Sequence, residues 1–270
     1  MRTMWKGAIR FGLVYIPIKL YTATENKDVR LRMLHKDCMA PVSYTRTCTK
    51  CGKAIQNEDI IKGYEYAPEQ FVAISEEEIH DLQDDPDKSI EIVNFVNLNE
   101  IDPIYFEKSY FIGPDTGTAA KAYALLREAI ESTNKIGIAN IILRQKQHLA
   151  AIRSYGNGLI METLYYPDEV RSVSAVPGIG EIAAPIEKKE LNIAAQLIDQ
   201  LTETFKPENY KDDYREKLEK LIADKVAGIK PEKKEPARKS KDVIDLLSAL
   251  EASVKETKPK KRTARRRKTS

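Results

Sequence analysis

Cysteine is scarce in this chain: three among 270 residues, too few for a disulfide framework, so a reducing, cytoplasmic setting is expected. Long hydrophobic runs are missing too. No stretch approaches the ~18 apolar residues of a membrane span, and the opening Met1-Arg2-Thr3-Met4-Trp5 lacks the apolar segment of a signal peptide. Histidine is limited to His35, His80 and His148. The chain holds no H-E-x-x-H, G-x-S-x-G, Walker A or G-x-G-x-x-G pattern, which removes the commonest hydrolase, nucleotidase and dinucleotide-binding classes. Gly113-Pro114-Asp115-Thr116-Gly117 precedes a predicted helix, but it has no phosphate-loop lysine and reads as a turn. His80 lies among the carboxylates of residues 76–87, which read as a solvated acidic face, and His148 has no nucleophile near it in sequence. No catalytic activity and no required cofactor are expected.

What the chain does have is enough apolar residue, 42%, for a real core, and a length that allows one large domain or two small ones. Its net charge of +3 hides a strong asymmetry. Residues 229–270 carry 15 Lys/Arg against 6 Asp/Glu, whereas residues 1–228 carry 29 against 35. A basic tail on an acidic body points to a polyanionic partner. Within that body, residues 27–53 stand out with seven basic side chains against Asp28 and Asp37. A second basic group, Arg144, Lys146 and Arg153, lies along a predicted hairpin.

Alternation of apolar residues predicts a mainly β first two-thirds. Ile9, Phe11 and Leu13 alternate, then Ile16, Ile18 and Leu20 do so with opposite parity. A bulge or bend at Tyr15-Ile16-Pro17 would accommodate that switch. Further strands are predicted at 60–66, 71–74, 90–98, 104–112, 136–143, 149–155 and 159–166, with hairpin turns at Gly156-Asn157-Gly158 and 144–147. Many short strands with turn signals favour an antiparallel barrel or sandwich. One helix interrupts them at 118–132, with Ala122, Leu125, Leu126, Ala129 and Ile130 on one face. Beyond Pro185 the period becomes helical: Leu191, Ala194, Ala195, Ile198 and Leu201 form one stripe, and 210–226 forms a second, more charged helix. The stripe needs a partner, either the barrel or a second copy of the chain. Residues 229–270 are expected to be a disordered basic tail. A short helix is embedded in it at 242–254, where Val243, Leu246, Leu247 and Leu250 share a face that suits partner docking.

His35-x2-Cys38 and Cys48-x2-Cys51-Gly52 match the spacing of two ligand-presenting turns around one tetrahedral zinc ion. Four ligands would close the site, which makes it structural. Gly52 suits such a turn, whereas no glycine follows Cys38. The basic residues Arg30, Arg32, Lys36, Arg46, Lys50 and Lys53 surround these pairs. Together with Arg144, Lys146 and Arg153 they are the candidate phosphate contacts, and no base-reading helix accompanies them.

Several long blocks resemble the prokaryotic Ku family. They are the run from Met4-Trp5-Lys6-Gly7 through Ile18-Lys19-Leu20-Tyr21, Lys62-Gly63-Tyr64-Glu65-Tyr66, Glu100-Ile101-Asp102-Pro103-Ile104-Tyr105-Phe106, Lys135-Ile136-Gly137-Ile138-Ala139 and Tyr166-Pro167-Asp168-Glu169-Val170-Arg171. The resemblance covers about residues 1–225, and the terminal region is also similar. It implies a Ku core-like β-barrel at 1–186, interrupted by a bridge at about 22–63, with a helical arm at 187–228 and the tail beyond. It further implies a homodimeric ring around duplex DNA; the apolar helical stripes place the expected dimer contacts on the barrel and the arm at 187–226. The function it implies is sequence-independent binding of double-strand ends in non-homologous end joining, with recruitment of an ATP-dependent DNA ligase at the nucleoid. Zinc is not required by membership and would act as a staple for the bridge tip. Two other readings fit the composition: a zinc-ribbon nucleoid or transcription factor binding duplex along its length, and a metal-dependent nuclease.

Overall fold

The computed structural model describes residues 1–82, 88–115, 117–181 and 186–229. The basic tail from residue 230, with the helix expected at 242–254 and its expected docking residues Val243, Leu246, Leu247 and Leu250, lies outside the described residues. The chain divides into two compact units, one of residues 1–27 and 31–175, the other of 28–30 and 176 onward.

The first unit is built on a closed seven-stranded barrel. Its strands are β1 (Trp5–Phe11), β2 (Val14–Thr22), β5 (Ser89–Asn97), β6 (Phe106–Pro114), β7 (Lys135–Leu143), β8 (Lys146–Tyr155) and β9 (Gly158–Leu164). A separate two-stranded sheet holds β3 (Lys62–Ala67) and β4 (Gln70–Ile74), and helix α1 (Glu76–Asp81) follows it. The barrel order is β1-β2-β6-β9-β8-β7-β5. Six of its seven ladders are antiparallel, but β1 and β5 pair in parallel, Ile9 against Ile90, so the expected antiparallel barrel is in fact mixed. Parallel neighbours need a return path between them. Here β2 makes the return, and the long crossover of residues 23–88 leads from the end of β2 to the start of β5.

The parity switch near the N-terminus is a chain reversal, not a bulge at Tyr15-Ile16-Pro17. Gly12 (φ +57°) and the fully exposed Leu13 turn β1 into β2, so that Ile9 pairs with Ile16 and Ala8 with Pro17. Pro17 fits a paired strand because its carbonyl accepts from the Asp115 amide (3.0 Å) at the very end of the β2–β6 ladder. Its missing N–H therefore costs no interior ladder bond. Gly7 is fixed by crowding: a Cβ there would lie 2.0 Å from the Lys88 carbonyl oxygen, where β1 approaches β5.

Ile9, Ile16, Ile18, Leu20, Ile90, Ile141, Ile152, Leu159 and Met161 are almost fully enclosed within the barrel. Each contributes about 1.5–3 kcal/mol through removal of apolar surface from water. Helix α2 (Ala120–Thr133) covers this core with Tyr123, Leu126 and Ile130. The expected face is thus rotated slightly: Tyr123 is inside and Leu125 is exposed. The Tyr123 hydroxyl donates to the Ile112 carbonyl (2.7 Å) and accepts from the Leu159 amide (2.8 Å), pinning the helix to β6 and β9. The predicted hairpin at Gly156-Asn157-Gly158 forms as read, with Tyr155 paired to Gly158.

The second unit contains α3 (Lys188–Leu201) and α4 (Asp213–Val226). Leu191, Ala195, Ile198 and Leu201 of the predicted stripe are exposed, and Ala194 is half-buried. Phe205 and Tyr210 stack on each other at 5.4 Å between the helices while remaining exposed. This apolar surface has no cover within the described residues of its unit.

Candidate nucleic-acid interface

Residues 23–61, between β2 and β3, contain no long strand or helix. Their local order comes from two small loops of the same design, thirteen residues apart. In the first, the His35 amide donates to the Ala40 carbonyl and the Met39 amide to the His35 carbonyl, each at 2.8 Å. In the second, the Cys48 amide donates to Lys53 (2.9 Å) and the Gly52 amide to Cys48 (2.8 Å). Isolated bridges, Leu34 to Pro41 and Thr47 to Ala54, close the two loops. The residue after the second candidate ligand is left-handed in both: Gly52 at φ +71° and Met39 at φ +56°. The missing glycine after Cys38 therefore did not prevent the turn. Met39 takes the conformation instead, at a steric cost of about 1–2 kcal/mol.

Each loop presents one pair of candidate ligands. His35 Nδ1 lies 3.1 Å from Cys38 Sγ. The Cys48 thiol pKa is held below its ordinary value, chiefly by hydrogen bonds from the Cys51 and Lys50 backbone and then by the Cys51 side chain. Such turns and such donors suit zinc. The two pairs stay separate, however: no cluster of three or more His, Cys, Asp or Glu side chains placed for a metal occurs among the described residues.

The candidate cations on this segment, Arg30, Arg32, Lys36, Arg46, Lys50 and Lys53, are all exposed. Arg30 groups with the second unit. Arg46 donates to Asn57 Oδ1 at 2.6 Å, on the return path toward β3. The side chains of Arg32, Lys36, Lys50 and Lys53 make no hydrogen bond or ion pair among the described residues. Arg32, Lys36, Lys50 and Lys53 thus leave four exposed positive charges uncommitted among the described residues of the first unit.

On the barrel the three predicted cations have different fates. Arg153 binds Glu162 through two hydrogen bonds (2.9 and 3.0 Å) and lies 5.6 Å from the centre of the Tyr155 ring, so its charge is committed internally. Lys146 pairs with Glu169 at 2.8 Å. That contact holds the Glu169 carboxyl below the usual range and raises the Lys146 ammonium. Arg144 alone is exposed and unpaired among the described residues. It occupies the two-residue turn between β7 and β8, where Leu143 pairs with Lys146. Arg144 (φ +51°) and Gln145 (φ +67°) are both left-handed there, in a turn that ordinarily uses Asn-Gly. Gln145 Oε1 accepts from Lys62 Nζ at 3.0 Å, which brings the first residue of β3 against this tip. That contact spans 83 residues of sequence, and no local signal could have shown it.

A further cation pair was not anticipated. Lys6 (2.9 Å) and Lys19 (2.6 Å) both grip Asp115, whose side chain is 10% exposed. The hydrogen bond from Lys19, then that from Lys6, holds the Asp115 carboxyl below the usual carboxylate range. These lysines fasten β1 and β2 to the end of β6. No described helix is long and apolar enough to cross a membrane.

Known proteins match this chain over most of its length. Residues 10–193 match the Ku70/Ku80 beta-barrel domain. The chain is 51% identical to the non-homologous end joining protein Ku of Bacillus subtilis over 96% of this chain and 83% of that protein. It is 44% identical to the protein of the same name from Heliobacterium modesticaldum, over 100% of this chain and 99% of that one. Among solved structures, the SPOC domain of human PHD-finger protein 3 aligns at a TM-score of 0.30 with 13% identity, covering 60% of this chain and 95% of that one, too distant to inform the fold. The closed barrel and the extent of these matches agree: the chain belongs to the Ku family.

Proposed function

We propose that this protein binds the ends of double-stranded DNA without regard to sequence, as a homodimeric ring in non-homologous end joining, and that it catalyses no reaction. The observation that carries this reading is the row of exposed, mostly unpaired cations on the crossover of an otherwise acidic body. Phosphate contacts of that kind position a duplex but read no bases, which suits a break that can occur anywhere. The relatives' name, non-homologous end joining protein Ku, supports the repair setting. The uncovered stripe of Leu191, Ile198 and Leu201 supports a second copy as partner. In this reading the protein acts at the nucleoid in the cytoplasm, and the helix at 242–254 docks an ATP-dependent DNA ligase.

Zinc belongs to the same proposal. Bound by His35, Cys38, Cys48 and Cys51, it would cross-link the two loops into one rigid tip, in place of the hydrophobic core that this segment lacks.

Charge reversal tests the reading. Arg32→Glu with Lys50→Glu should weaken binding to unrelated linear duplexes by the same factor and flatten the dependence of log K on log salt by about two contacts. Equal slopes for variant and parent would place the DNA elsewhere.

A further inference from the structure

A cavity of about 510 Å³ opens at one end of the barrel. Thr22 ends β2, Leu143 ends β7, Lys146 begins β8, Lys108 lies near the start of β6 and Thr163 near the end of β9, so five strands meet there. Its ionisable lining is Lys108, Arg144, Lys146, His148 and Glu107: three cations, one carboxylate and a neutral imidazole, a formal +2 in a body whose total is negative.

The carboxylate is already occupied. Glu107 accepts from the buried Thr163 hydroxyl (3.1 Å) and pairs with Lys108 (3.2 Å). Lys146 is held by Glu169. Arg144 is left as the cation with no partner among the described residues, on a turn where both residues adopt strained left-handed conformations. Unrelieved strain of this kind gathers at ligand sites. On the wall, half-buried His148 faces Glu107, Lys146, Glu169 and Lys108, and burial holds its pKa down.

We propose that this cavity is a subsite for a phosphate monoester, with Arg144 and His148 as its contacts. A guanidinium fork matches phosphate oxygens in two-point geometry. An imidazole that has kept its acceptor nitrogen can take up a proton when a dianion arrives beside it. A concave site favours a group that ends a chain over a phosphodiester, which must continue on both sides. Resting on the end-binding reading above, the monoester is the terminal 5′-phosphate of a broken strand. The contact of Lys62 with Gln145 sets the foot of β3 at the rim of the same turn.

The test uses the full chain and three DNAs of one sequence: linear with 5′-phosphates, linear with 5′-hydroxyls, and closed circular. A charge-assisted Arg–phosphate contact should favour the phosphorylated linear form by about tenfold. Arg144→Gln and His148→Phe should each bring that ratio below about twofold by the same reasoning, with His148→Gln as a second variant if the phenylalanine lowers the unfolding temperature. Millimolar inorganic phosphate, but not chloride of equal ionic strength, should erase the ratio in the parent protein. A parent ratio of one, a ratio unchanged in both variants, or indifference to inorganic phosphate would each overturn the subsite. The circular arm separates the two readings. If hydroxyl-ended linear DNA still outcompetes the circle while the phosphate ratio is one, only the subsite fails. If linear and circular forms bind alike, end binding itself fails, and the ratio on the linear pair still decides the subsite.

Discussion

Arg153 on β8 and Glu162 on β9 share two hydrogen bonds, 2.9 and 3.0 Å, with only 27% and 13% of their side chains exposed. Ser109 on β6 adds a third hydrogen bond to Glu162 at 3.4 Å. The arginine that looks like a DNA contact in sequence is therefore tied to Glu162, through which β6, β8 and β9 are linked in the barrel wall. Arg153→Gln is expected to cost about 1–3 kcal/mol of stability, since it strands a poorly hydrated carboxylate. Urea unfolding should show a lower midpoint, while the salt slope of DNA binding stays that of the parent. A changed slope with unchanged stability would return Arg153 to the DNA face.

The strained turn predicts a trade between stability and binding. Replacing Arg144-Gln145 by Asn-Gly puts residues there that tolerate φ > 0. The double variant should gain about 1 kcal/mol in thermal or urea unfolding and bind linear duplex more weakly. Loss of stability in this variant would show that the Lys62–Gln145 hydrogen bond outweighs the backbone strain.

Asp115 predicts the response to acid. Its folded pKa is lowered by Lys19 and Lys6, so its contribution is complete above the unfolded carboxylate value near ~3.9 and is lost as pH falls through the lower, folded value. The pKa of Lys19 is raised by the same hydrogen bond, so its share is complete below an unfolded value near ~10.4 and disappears as pH rises through the folded one. Asp115→Asn should flatten both limbs of a stability–pH curve. A steep acid limb that persists in the variant would assign it to other carboxylates.

Zinc gives a fourth expectation. Protein purified without chelator should carry about one zinc per chain if both loops serve one tetrahedral ion. Cys48→Ser and His35→Ala should each abolish it. Zinc retained by His35→Ala but lost by Cys48→Ser would restrict binding to the second loop.

Much of this architecture was legible in the sequence because its signals are local. Alternating Ile, Val and Leu located β5 to β9 to within a few residues, and Gly156-Asn157 marked its hairpin, but the tight turn at Gly12-Leu13 that separates β1 from β2 was hidden by the parity switch after it. The two C-terminal helices followed from period alone. Nonlocal pairing stayed hidden: nothing in residues 5–11 shows that β1 runs parallel to β5, because β5 begins 78 residues after β1 ends. The site shows the same limit. Charge density identified the crossover, but side-chain partners decided which barrel cations are free, and Glu162 and Glu169 reach Arg153 and Lys146 from other segments. The equivalence of the two ligand loops was concealed by Met39, whose left-handed backbone no residue-type rule would assign.

The central claim is that ends, and not sequence or length, determine binding. Competition between linear and closed circular duplex of identical sequence tests it most directly, at a salt concentration where the basic tail contributes little. The account predicts that linear DNA displaces bound linear DNA while the circle does not, and that cutting the circle once restores competition. Equal competition by the intact circle would contradict it and would make this protein a general duplex-binding factor.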